Sequence, residues 1–386
     1  MAVYRVAIVG CRSRGRAAGY AYQAHPRTEV VGLCDLIPER REALGEALGV
    51  SARFADLDEM IREVVPDIVA IPTGTEFHYD LCMRVLDYGV HIDVEKPMCV
   101  DLVQADAVLG RAAEQGVRVA VHHQGRTGAA LQAVARAVQA GRIGALRHVI
   151  ASGKGYYGGY GLMNIGTHLI NGMLAFTGHC RRVVASALTD GRPIVPEDAV
   201  SAPGGMGTIA GEHITATLEF AGRTTATLLQ HRFPALDAAA YGMEVLGDEG
   251  RLFWKGGGAW WMPVPHFVPG DDTSRWEPLE LAYPDHYDPA MSASADDYMF
   301  VDDFVRALDE GREPACSGAE GRHVLEIMMG IFESAATGRP VTLPQADRRH
   351  PLLRWRCEAG LGAPDPMPRP YAEWLAAEDR RLGRMS

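Results

Sequence analysis

Two runs and one helical pair in this sequence carry side chains whose types and spacing suit chemistry. The first run is Gly10-Cys11-Arg12-Ser13-Arg14-Gly15, between the apolar stretch Val6 to Val9 and a segment of helical pattern. Glycine at 10 allows a tight turn, and glycine at 15 lets a helix lie close to the strand. The free N–H groups of that helix then offer a place for a pyrophosphate. Arg12 stands where the G-x-G-x-x-G pattern has its second glycine. Its side chain can pair with phosphate charge, or it can weaken binding. Alone, the run reads equally well as a plain turn between strand and helix. Asp35 ends the next apolar stretch. A carboxylate there can accept hydrogen bonds from ribose hydroxyls and would repel a 2′-phosphate, which favours NAD over NADP. Capping a helix near Pro38 is a second role, compatible with the first.

The second run is Glu95-Lys96-Pro97, directly after the apolar stretch 90–94. An ammonium at the carboxyl end of a strand can polarise a hydroxyl or carbonyl and share its proton. Proline at 97 fixes the turn and can hold a cis bond; by itself the tripeptide is also an ordinary exposed turn. The pair is Asn164 and His168, four apart and on one face of a predicted helix. Imidazole is a natural base for the proton that leaves a hydroxyl, and an amide can hold a substrate oxygen. Packing is the alternative use of both. His122-His123 does not predict a metal site, because neighbours in a strand face opposite ways and no third ligand stands at a recognisable spacing.

The elements that must position these groups follow from periodicity. Short apolar runs at 6–9, 30–34, 67–71, 90–94 and 117–121 alternate with helical segments, among them 38–48, 77–88 and 102–115. This predicts a parallel sheet covered on both faces. After residue 122 the texture changes. Helices are expected at 129–140 and 164–176, then alternating strands at 147–152, 183–189, 212–220, 223–230 and 243–247, with Ala221-Gly222 as a hairpin loop. Residues 255–296 read as a long loop, helices return at 297–310 and 321–337, and the tail after Pro340 is expected to wrap the surface. The fold class is therefore α/β: a doubly wound Rossmann domain over 1–122, then an α+β domain over 123–386 with a large, mainly antiparallel open sheet. Tyr157 or Tyr160, in the glycine-rich loop before the second helix, could stack on a sugar ring or pack on the sheet. Trp254, Trp260 and Trp261 read as strand-end or interface packing.

Composition narrows the partners. A formal charge of −11 argues against nucleic acid. Seven dispersed cysteines without a C-x-x-C pair argue against a disulfide framework or structural zinc, and suit the cytoplasm. The apolar start of the chain lacks the length and cleavage pattern of a signal peptide. No run is long enough for a membrane span.

Together these features resemble the glucose-fructose oxidoreductase / inositol dehydrogenase (Gfo/Idh/MocA) family. The resemblance rests on the glycine turn 10–15, Asp35, Ile71-Pro72-Thr73-Gly74-Thr75-Glu76-Phe77-His78 and Gly89 through Pro97. His123-Gln124-Gly125-Arg126 and Asn164-Ile165-Gly166-Thr167-His168 complete it. It implies an NAD(H)-dependent oxidoreductase acting on a secondary hydroxyl or ketone of a sugar, sugar derivative or cyclitol. Lys96, His168 and Asn164 are implied at the reacting carbon. Gly10, Arg12, Ser13, Arg14, Gly15, Asp35, Pro72, Thr73, His78, Glu95, Lys96 and Gln124 are implied around the cofactor, with Arg126 and Tyr157 joining Lys96, Asn164 and His168 at the substrate. It also implies a homodimer or homotetramer formed through the C-terminal sheet. Asn164 departs from the family's usual aspartate and cannot stabilise an imidazolium with negative charge, which shifts proton transfer toward Lys96. An NAD-retaining, redox-assisted glycosidase and a non-catalytic dinucleotide sensor are the alternatives.

Overall fold

A computed structural model describes residues 3–266 and 275–384. The chain divides into two compact units. The first comprises 1–99, 104–129 and 282–322; the second comprises 100–103, 130–281 and 323–386. The single cut expected after residue 122 is therefore corrected, because 282–322 returns to the first unit. The reason is long-range. Tyr298, Phe300, Val301 and Phe304, on the helix Ala295–Glu310, are buried in one core with Val6, Ile8, Tyr22 and Leu33. Local periodicity shows that this helix has an apolar face, but not which sheet receives it.

In the first unit β1 (Tyr4–Val9), β2 (Thr28–Cys34), β3 (Arg53–Phe54), β4 (Ile68–Ile71), β5 (His91–Val94) and β6 (Val119–Val121) form one sheet in the order β3-β2-β1-β4-β5-β6. Every pairing is parallel. Ile68, Val69, Ala70 and Ile71 are all buried, as strands covered on both faces require. This is the Rossmann order, and the order of strand addition reverses between β1 and β4, the place where open α/β sheets bind ligands.

The second unit holds a ten-stranded mixed sheet. Its path runs Glu277–Pro278, Gly258–Met262, Arg251–Lys255, Gly242–Gly247, Leu146–Ser152, Thr225–His231, His213–Phe220, Cys180–Thr189, Val341–Thr342, with Arg192–Pro193 pairing Cys180–Thr189. Among the described strands of this sheet only Leu146–Ser152 and Thr225–His231 pair in parallel. The expected loop 255–296 is corrected in part. Gly258–Met262 and Glu277–Pro278 extend the sheet, and the Gly and Trp content concealed their alternation; residues 267–274 of that stretch lie outside the described residues. The hairpin at Ala221-Gly222 exists, with Arg223 rather than glycine at positive φ, 62°. The tail is also more than a wrap. It forms the helices Pro351–Glu358 and Tyr371–Arg381, and Trp374 on the latter is fully buried. No helix among the described residues is long and apolar enough to cross a membrane.

Candidate active site

The glycine turn sits where β1 feeds the helix Ser13–Ala24. Gly10 has φ +101°, a conformation that favours glycine, and a Cβ there would meet Thr73 Cγ2 at 3.0 Å. A Cβ on Gly15 would collide with the Gly10 carbonyl oxygen. The two glycines therefore bring the helix N-terminus down beside the end of β4, at the switch point. Arg12 is the N-cap, with φ −82° and an extended backbone that needs no glycine, and its side chain is exposed. No side chain caps this helix and its first turn holds no acid, so its N-terminal N–H groups suit an anion.

Asp35 at the end of β2 accepts from the Cys11 N–H at 2.8 Å and from the Ile37 N–H at 2.9 Å. The carboxylate thus ties the glycine turn to the segment leading into the helix Pro38–Leu48; the expected capping role is corrected, because the N-cap is Ile37 and no side chain caps that helix. The Arg41 guanidinium donates to the Asp35 carbonyl at 2.9 Å.

The dinucleotide itself can be tested against these residues. Thr73 Oγ1 and Gln124 Oε1 are buried and have no hydrogen-bond partner among the described residues. Buried polar atoms rarely stay unsatisfied. With the glycine cradle and Asp35, these two atoms fit a polar ligand lying across the switch point.

Glu95 and Lys96 follow β5, and the Lys96–Pro97 bond is cis. Lys96 is half-buried while Asp93 to Glu95 and Pro97 to Cys99 are buried, so this ammonium is the accessible group of the turn. His78 is fully buried. Its Nδ1 lies 3.0 Å from the Pro97 carbonyl and its Nε2 lies 3.3 Å from the Thr73 carbonyl. Burial lowers its pKa, so the ring is neutral and has one N–H to give, which the shorter contact directs to the Pro97 carbonyl; both ring nitrogens face protein backbone.

Sequence reasoning missed the charge network beneath this edge. Arg14 donates to Glu95 at 2.5 Å and to Asp297 at 2.9 Å. His122 Nδ1 lies 3.1 Å from Asp93, and its Nε2 lies 3.0 Å from Asp297. The Tyr22 hydroxyl donates to Asp93 at 2.9 Å. Both imidazole nitrogens face carboxylates, so both must donate and the ring is an imidazolium. Burial alone would lower the His122 pKa, but Asp93 and Asp297 push it up to about 10. Burial opposes ionisation of Asp297 and Glu95 too. His122 and Arg14 outweigh it for Asp297, as Arg14, His122 and Lys96 do for Glu95, and both carboxyls fall below the ordinary range. Arg14 and Glu95, expected at the cofactor, therefore spend their charges on each other. The available signal was Asp93, an acid inside an apolar strand.

Arg126 pairs with Glu320 at 2.6 Å. Among the described residues His25, His286 and Asp302 also cluster, with ligand atoms within 4.8 Å of one another. The Arg27 N–H donates to His25 Nδ1 at 3.2 Å. That bond keeps the ring proton on Nε2, pointing at Asp302, where a metal would need a lone pair.

In the second unit the helical segment from Gly158 to Thr177 carries one turn of π-helix, Leu162–Gly166. From Tyr157 to Leu174 every residue is buried except Tyr160, Asn164 and His168. A hydroxyl, an amide and an imidazole therefore form the accessible stripe, and Asn164 Nδ2 donates to the Tyr160 hydroxyl at 3.2 Å. Tyr157, expected at the sugar, is corrected. It is fully buried, and its hydroxyl donates to Glu378 at 3.2 Å. Glycine packing explains the switch. A Cβ on Gly158 would meet the carbonyl oxygens of Gln230 and Glu212 at 2.7 Å, so the loop lies tight on the sheet and turns Tyr157 inward.

Residues 4–123 match the oxidoreductase family model with an NAD-binding Rossmann fold, and residues 154–343 match that family's C-terminal α/β domain. The chain belongs to this family. It is an oxidoreductase whose Rossmann domain binds NAD. Among its relatives, D-apiose dehydrogenase of Paraburkholderia graminis is 25% identical over 367 residues, covering 91% of this chain and 92% of that one. UDP-N-acetylglucosamine 3-dehydrogenase of Acidithiobacillus ferrooxidans is 26% identical, covering 85% and 96%. The oxidoreductase also shares its fold with the WlbA dehydrogenase of Bordetella pertussis, solved with NADH and UDP-GlcNAcA, at TM-score 0.67 and 22% identity, covering 89% and 99%.

Proposed function

We propose that this oxidoreductase moves hydride between NAD(H) and a secondary hydroxyl or ketone of a sugar, sugar derivative or cyclitol. The observation that carries the reading is the accessible stripe of Tyr160, Asn164 and His168 on an otherwise buried helix. A proton acceptor and two hydrogen-bonding groups are what a polyol carbon needs. The relatives named for D-apiose and UDP-N-acetylglucosamine support the substrate class.

NAD supplies the hydride acceptor; the chain supplies the rest. Gly10, Ser13 and Gly15 shape the pyrophosphate cradle, with the exposed Arg12 adding charge. Asp35 takes the ribose hydroxyls, and Pro72, Thr73 and Gln124 flank the nicotinamide half. Arg14, Glu95 and His78 hold these parts in place. In the oxidation direction the hydroxyl proton passes to Lys96, entering as the neutral amine, or to the imidazole of His168. The C–H electron pair leaves with its hydrogen as hydride, and the C–O bond becomes a carbonyl. Asn164 and Arg126 orient the polyol.

We further propose a homodimer or homotetramer formed through the C-terminal sheet, and a cytoplasmic enzyme; seven cysteines outside any disulfide, six buried and one exposed, suit a reducing compartment. A panel of sugars, cyclitols and their oxidised forms, followed by NADH absorbance, tests the reaction. Substrate-dependent NADH formation is expected. Release of an aglycone without net NADH would replace the reading with the glycosidase.

A further inference from the structure

Residues 344–384 lie beyond the part of the chain that matches the family's C-terminal domain, yet they are docked within the second unit. Trp374 is fully buried and its Nε1 donates to the Ser201 carbonyl at 2.7 Å. Glu378 accepts from the Tyr157 hydroxyl and from Arg381. Asp379 takes both guanidinium nitrogens of Arg232, at 2.7 and 2.8 Å. Arg384 reaches both oxygens of Glu212, at 2.5 and 2.6 Å.

This docking delivers one side chain to the accessible stripe. The Tyr371 ring stacks on Tyr160 with centroids 4.9 Å apart and planes at 20°. It meets Tyr156 edge-on, also at 4.9 Å, and Tyr156 meets Tyr160 edge-on at 5.3 Å. The Tyr371 hydroxyl accepts from the Tyr157 N–H at 2.8 Å. Three half-buried tyrosines thus form one packed cluster, and its Tyr160 hydroxyl is the acceptor for Asn164. Aromatic pairs in these geometries resist sliding, because each ring edge or face is matched to its neighbour's quadrupole.

We propose that Tyr371 is a positioning residue for substrate: the C-terminal tail holds the Tyr160 ring, and through its hydroxyl Asn164, as one wall of the polyol subsite. The inference rests on the sugar reading above. Its chemistry is the apolar C–H face of a sugar ring laid on an aromatic surface beside a hydrogen-bonding amide. Burial, with Tyr156 and Tyr371 alongside, pushes the Tyr160 phenol up to about 12, so this hydroxyl stays protonated and hydrogen-bonds as a neutral group.

The test uses full-length Tyr371→Ala and Tyr371→Phe. For the active sugar found in the panel, Tyr371→Ala is expected to raise KM about three- to tenfold, the scale of one aromatic contact, with kcat changed less than twofold and the KM for NAD unchanged. Tyr371→Phe keeps the stack and should restore most of the sugar KM. A folded Tyr371→Ala with an unchanged sugar KM, or a loss that Phe does not rescue, overturns the proposal. Hydrogen exchange on the same variants reads the tail's hold without any substrate. Faster exchange across 157–164, with the Rossmann strands unchanged, is expected, and unchanged exchange also overturns it. Faster exchange in a protein that turns over no sugar would sink the sugar reading while supporting Tyr371's hold on Tyr160.

Discussion

At the scale of single residues, the chemistry depends on groups whose charge is fixed by their neighbours. His122 is the clearest case, because its imidazolium holds two buried carboxylates, Asp93 and Asp297. His122→Gln removes the cation they share, leaving Asp93 with the Tyr22 hydroxyl and Asp297 with Arg14 and Ser294; breaking a buried pair costs up to about 3–5 kcal/mol, and a drop in Tm is expected by calorimetry. The pH dependence has two signs. The stability from His122 is full below its unfolded pKa of about 6.5 and is lost as pH rises through about 10. The stability from the depressed Asp297 and Glu95 is present above the ordinary carboxylate range and lost as pH falls through their folded values. Urea titrations from acid to alkaline pH should show both limbs in the native protein, and His122→Gln should lack the alkaline one. Asp35→Ala should reduce affinity for NAD more than for NADP in fluorescence titrations; an unchanged preference removes Asp35 from the ribose.

At the scale of elements, close approach decides function. Gly15→Ala places a methyl group against the Gly10 carbonyl and must push the helix Ser13–Ala24 off its turn. Overpacking of this kind costs about 1–3 kcal/mol, and dinucleotide affinity should fall further than Tm alone explains. The same scale shows what the sequence could and could not tell. The glycine turn, Asp35, the cis-bearing Lys96–Pro97 and the helix of Asn164 and His168 were legible, because each is local: a strand end, a turn residue, an i, i+4 pair. The bonds Arg14–Glu95 and His122–Asp297 span long stretches of chain, and no periodicity reports them. Tyr157 and Tyr160 were indistinguishable by type. Only the packing of Gly158 on the sheet, and the burial of Trp374 from the tail, separate the inward ring from the accessible one.

At the scale of the whole molecule, strands of the ten-stranded sheet alternate buried residues with more exposed ones, so one face is the less buried. Its exposed positions include Thr215 and Thr217, together with the apolar Ile150 and Val184 at 37% and 40% exposure. An apolar patch of that kind on a sheet suits self-association. Sedimentation should give a dimer or tetramer, and Ile150→Lys with Val184→Lys should shift it toward monomer. A wild-type monomer at micromolar concentration would contradict this assembly. Hydride transfer aided by Lys96 is read from one comparison: NADH and ketone formed by the wild type and by Lys96→Ala, measured together on the active sugar. The wild type should yield one NADH per ketone. Lys96→Ala should bind NAD nearly as well but turn over about 10²–10⁴-fold more slowly, the usual worth of a positioned acid–base group. Near-normal turnover by Lys96→Ala, or product formed without matching NADH, would contradict it.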